Sequence, residues 1–168
     1  MRIVALLVFA FIHSAGAAPP VTDAVYGPLW SYQGTWHVTS KNAGAKPDEL
    51  KNQCALVGKY FVCQQTINGQ VGDLLIFIPV PNNAGHYHTQ NVNLQGRASG
   101  VGDLEISGDR WVYSSRWDQG GGKATYYRTT NVFTGKSRIQ YEQSESPNGK
   151  DWKVTNSGEE LRTSSLGR

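Results

Sequence analysis

His86 and His88 lie two positions apart, a spacing that puts both side chains on one face of an extended strand. Imidazole is the commonest transition-metal ligand, so the pair is half of a metal site. A structural or catalytic zinc needs three or four ligands, and the neighbouring sequence positions no carboxylate or free thiol to complete the set. The pair is therefore read as two surface histidines, and no metal is expected. A second row, Trp111, Tyr113, Ser115 and Trp117, also shares one parity, against Arg110, Val112, Ser114 and Arg116 on the other. Such an aromatic row can line a pocket for an apolar or planar ligand, with hydroxyls fixing orientation. It can equally be the filled core of a small barrel. His37, Glu105 and Glu142 qualify for proton transfer by type alone, if they point inward. Glu159-Glu160, close to Arg162, reads as a solvated turn carrying one salt bridge of little weight.

Other catalytic signatures are missing. The chain has no Gly-x-Ser-x-Gly elbow, no His-Glu-x-x-His, no Walker-type phosphate loop and no dinucleotide fingerprint. Gly120-Gly121-Gly122-Lys123 is glycine-rich but lies between two strand-like segments, without the helix whose N-terminus would hold a phosphate.

The two cysteines constrain the elements more tightly. With Gly58-Lys59 as a two-residue loop, Val57 pairs with Tyr60, Leu56 with Phe61, Ala55 with Val62 and Cys54 with Cys63. Glycine at the first loop position suits a type II′ turn. Cys54 and Cys63 fall on a non-hydrogen-bonded pair, where strands come closest, so a disulfide is expected. Asn68-Gly69 marks the next hairpin and sets Cys63 opposite Leu74 and Phe61 opposite Ile76. The disulfide face then carries Leu56, Phe61, Leu74 and Ile76, with Ala55, Val57, Tyr60, Val62, Leu75 and Phe77 on the other.

A bridge implies an oxidising compartment, and the N-terminus agrees. Met1-Arg2, the apolar run Ile3 to Ile12 and the small residues Ala15-Gly16-Ala17 read as a signal peptide over 1–17, cleaved after Ala17. The apolar run is too short to span a bilayer, so no membrane span is expected. Localisation is read as secreted or periplasmic. The 168-residue chain carries a net charge of +3, which loss of Arg2 lowers by one. Its basic residues are dispersed, so no nucleic-acid partner is expected.

Short alternating segments punctuated by Gly, Asn and Pro recur, and helical periodicity is nearly absent. Strands are expected near 34–41, 51–57, 60–67, 72–79, 86–92, 103–107, 110–117, 124–133, 137–144 and 151–158. Thr22 is a candidate N-cap for a short helical lid over 18–33, which Gly27-Pro28 keeps short. Residues 118–123 read as a mobile loop, 146–149 as a turn and 164–168 as a tail. Ten meandering strands imply one all-β domain over 34–163, a single antiparallel up-and-down barrel, because closure removes exposed edges.

Gly34-Thr35-Trp36, directly after the lid, resembles the Gly-x-Trp entry of the calycin group, the lipocalins and their relatives. The resemblance implies that Trp36 closes one barrel end and packs near an arginine of the last strand, here Arg162. With Leu29 before that entry, the Trp111 strand after Gly108-Asp109, and Ser146-Pro147-Asn148-Gly149 before Trp152, the chain looks like exported bacterial lipocalin-like domains of the DUF1579 type. Related nitrobindin-type barrels ligate haem through a histidine late in the chain. Here no histidine follows His88, so no cofactor is expected.

Together these readings favour an exported, non-enzymatic barrel that binds a small hydrophobic or aromatic ligand through Trp111, Tyr113, Trp117, Trp36 and Arg162. The alternatives are an interaction or inhibitor protein that engages an envelope partner through loops near 79–85 or 118–123, and a small-molecule enzyme using the lumen.

Overall fold

The structure is a computed structural model that describes residues 23–42 and 44–164. The signal-peptide reading and the Thr22 cap lie outside the described residues. Two 3-10 turns, Asp23–Tyr26 and Pro28–Tyr32, precede ten strands. These are β1 (Gly34–Ser40), β2 (Asp48–Val57), β3 (Tyr60–Ile67), β4 (Gln70–Pro79), β5 (His86–Val92), β6 (Ala98–Ser107), β7 (Arg110–Gly120), β8 (Lys123–Thr134), β9 (Arg138–Ser146) and β10 (Lys153–Ser164). Each strand pairs antiparallel with its sequence neighbours, and β10 returns to β1, giving one closed barrel. Every strand read from alternation is present; β2 and β6 begin earlier than expected, and β10 runs on to Ser164.

The cysteine hairpin has the expected register. Val57 faces Tyr60 and Cys54 faces Cys63, with Gly58 at φ 61° in the turn and the disulfide formed across a Cα separation of 4.1 Å. The following hairpin does not have the expected register. Ile67 faces Gln70 as Asn68-Gly69 dictates, but Cys63 faces Leu75 and Phe61 faces Phe77. A bulge sets Gly72 and Asp73 against Gln65, and one extra residue exchanges the two faces of β4 beyond it. Leu75 and Phe77 therefore join the core, while Ile78 is exposed outside. The 118–123 segment is also tighter than a loop: β7 runs to Gly120 and β8 starts at Lys123, leaving only Gly121-Gly122 between them.

The interior divides into a packed half and a polar half. Trp36, Phe61, Phe77, Tyr87, Leu104, Trp111, Phe133 and Ile139 fill one end. The two 3-10 turns plug that end from below: Tyr26 stacks on Phe61 with centroids 5.6 Å apart, and Trp30 meets Phe61 edge-on at 4.8 Å. Tyr26 donates to the Lys59 carbonyl, and Tyr87 donates to that of Val25. Burying a Tyr, a Leu and much of a Trp in this way holds a segment whose local helical preference is weak.

Candidate functional site

Trp36 sits at the floor of the barrel, fully buried, with its indole N–H donating to the Tyr32 carbonyl at 3.0 Å. The Arg162 guanidinium lies 4.3 Å from the Trp36 ring centroid, donates to the Gln33 carbonyl at 2.8 Å and also donates to the carbonyl of Ser31. One arginine thus ties the last strand, the first strand and the plug together, combining a cation–π contact with a planar hydrogen-bonding fork. Burial lowers the Arg162 pKa from its usual range. This is the Trp–Arg arrangement that the resemblance implies, and it closes the end of the barrel.

Above the floor lies a cavity of about 570 Å³, opening between the β1–β2 loop and the neighbouring strand ends. Leu50, Leu75, Tyr113 and Tyr141 are among the apolar wall, and Lys46, Asp48, Gln65, Asn131, Gln143 and Glu160 are among the polar wall. Glu160 is inward because β10 faces β1 with Val38 opposite Glu160 and Trp36 opposite Arg162, two steps along one parity. Its side chain is buried, and burial pushes its pKa up to about 7, against which the hydrogen bond from Tyr32 acts weakly. Burial, then the nearby Glu160 carboxylate, pushes the Tyr32 and Tyr113 phenols above their usual range, so both stay protonated donors. Glu160 Oε2 and Asn131 Oδ1 are buried without a hydrogen-bond partner in the protein. A buried acceptor left in that state costs free energy, which a donor brought into the cavity would recover.

The five residues expected to bind ligand are not gathered in one place. Tyr113 is on the cavity wall. Trp36 and Arg162 form the floor, and Trp111 packs there against Phe133, with centroids 4.6 Å apart. Trp117 is 57% exposed. β6 accompanies β7 only as far as Ser115, and β9 accompanies β8 only from Tyr126, so the hairpin tip carrying Trp117 overhangs the rim.

The Glu159-Glu160 turn does not form: both residues lie in β10, with Glu159 paired outward to Arg138 and Glu160 inward. Arg162 shares the parity that locates Glu160, and that was the available signal. His37, Glu105 and Glu142 are exposed and outside the cavity.

No family model and no curated protein matches the chain. Among solved structures, the crystal structure of Rv2717c from M. tuberculosis is similar, with a TM-score of 0.48 and 14% identity. That likeness covers 83% of this chain and 98% of the other. It bears on neither ligand nor activity.

Proposed function

We propose that the chain is an exported, non-enzymatic barrel holding a small amphipathic ligand in its lumen. The observation carrying this reading is the pair of unpartnered buried acceptors, Glu160 Oε2 and Asn131 Oδ1, in a cavity whose apolar side is formed by Leu50, Leu75, Tyr113 and Tyr141. Such a wall suits a planar or apolar body ending in an amine or hydroxyl donor. Export is supported by the formed Cys54–Cys63 bridge and the N-terminal sequence. Among the described residues no helix is long and apolar enough to cross a membrane. Kinship with the calycins of the DUF1579 type is supported by Gly34-Thr35-Trp36 and the Trp36–Arg162 closure.

Trp36 and Trp111 beneath the cavity report its occupancy, so fluorescence titration with aryl and alkyl amines, alcohols and carboxylates tests the reading. Amines or alcohols should bind the parent protein and lose affinity at least tenfold when Leu75→Trp fills the lumen. Binding that ignores Leu75→Trp, or absence of binding across the panel, would refute it.

A second reading, an interaction protein acting through its loops, is favoured by Trp117, a large aromatic exposed on the overhanging β7–β8 hairpin beside 118–123. It predicts that Trp117→Ser abolishes capture of an envelope partner while leaving lumen binding unchanged.

A further inference from the structure

The geometry points to a divalent transition-metal site on the outer wall, formed by His86, His88 and Asp103, in a region separate from the lumen. β5 sends His86 and His88 outward around the buried Tyr87. β6 pairs His88 directly with Asp103 and His86 with Glu105, so Asp103 stands opposite one imidazole and diagonal to the other. Asp103 Oδ1 lies 2.7 Å from His88 Nδ1 and 3.3 Å from His86 Nε2. One ligand atom from each residue falls within 4.8 Å of the other two. In a tetrahedral site with bonds of roughly 2.0–2.1 Å, ligand atoms are about 3.3 Å apart, so small side-chain rotations bring the three donors around an ion.

The donor chemistry is that of borderline divalent cations. Two imidazoles with one carboxylate suit zinc and its first-row neighbours and are poor for magnesium or calcium, which prefer all-oxygen shells. The side-chain amide of Asn83 lies 2.9 Å from His86 Nδ1. The atom facing Nδ1 is Asn83 Nδ2; with that amide turned over, its oxygen would accept Nδ1–H and leave the Nε2 lone pair facing Asp103, the outer support that metal-bound histidines usually have. Three protein ligands leave at least one coordination position open. His88 and Asp103 also line a groove of about 820 Å³ on the outer wall, which includes Arg116, Lys150 and Trp152. Unpaired with metal, one exposed and one half-buried imidazole–carboxylate contact contribute little to folding.

Zn²⁺ added to the untagged, chelator-treated full chain tests the site by calorimetry, with Co²⁺ absorption as a spectroscopic reporter. One Zn²⁺ per chain should bind, and the Co²⁺ d–d bands should intensify on binding. His88→Gln and Asp103→Asn should each weaken Zn²⁺ at least tenfold with far-UV circular dichroism unchanged. His37→Ala and Glu160→Gln should bind Zn²⁺ as the parent does, which separates this site from the lumen reading. Failure to bind Zn²⁺ stoichiometrically, or binding that survives both His88→Gln and Asp103→Asn, would overturn the proposal.

Discussion

Replacing Glu160 by glutamine keeps the shape of the buried side chain and removes its titration. Burial pushes the folded carboxyl up to about 7, against 4.5 for a glutamate free in water. At ~1.4 kcal/mol per pKa unit, the difference corresponds to about 3 kcal/mol. Between those two pH values the folded protein keeps a proton that the unfolded chain has released. Stability therefore falls as pH rises through the window. The parent should match Glu160→Gln near pH 4.5, lose ground steadily, and lie about 3 kcal/mol below it above pH 7. Urea midpoints for both proteins at half-unit steps from pH 4.5 to 8.5, with slopes held equal, measure the difference directly. A difference that stays flat across the window would refute the placement of Glu160 as a buried, desolvated acid. A ligand carrying an amine should flatten the parent's curve, because a cation in the cavity stabilises the ionised carboxylate.

Other perturbations test the remaining parts of the structure. Trp36→Ala empties the barrel floor and unseats the Arg162 stack, so thermal or urea unfolding should show a loss of about 3–5 kcal/mol. Removing both cysteines (Cys54→Ala, Cys63→Ala) opens a loop with a sequence separation of only 9, and should cost about 2–3 kcal/mol while leaving lumen binding intact. A Cβ at position 158 would collide with the Thr39 carbonyl and lie 2.7 Å from the Tyr141 hydroxyl. Gly158→Ala should therefore lower the urea midpoint by about 1–3 kcal/mol and perturb the cavity wall, read as weaker ligand binding than in the parent.

Much of the barrel was legible because period-two alternation and glycine turns are local signals. Cys54, Gly58 and Cys63 set one hairpin's register without reference to the rest of the chain. The β3–β4 register was read incorrectly because Gly72, the signal of a bulge, is indistinguishable in sequence from any glycine within a strand. The site was less legible than the fold. Tyr113, on the cavity wall, shares its parity with Trp111, yet parity says nothing of depth along the barrel, so Trp117 on the same parity lies at the overhanging tip. Glu160 is hard to see in sequence because adjacent acids usually face water, and it is placed inward only once residues 159–162 are read as one strand sharing Arg162's parity. Asp103 reaches His86 and His88 through the β5–β6 pairing, and no spacing within either segment contains that contact.

The Arg162 closure also bears on the order of assembly. All other neighbouring strands are hairpin partners, able to zip up as each successive segment becomes available. Arg162 and Gln33, in contrast, are 129 positions apart. Contacts that distant carry the largest loop-closure cost and form late unless the intervening sheet has already brought the ends together. A chain lacking β10 would thus be an open nine-stranded meander with β1 and β9 as bare edges, prone to pair with other chains. The same adjacency makes the two ends of the barrel natural points to join. A circular permutant linked across β10 and β1 and reopened at Gly121-Gly122 would turn the present clasp into a local pairing and make β7–β8 the late closure instead.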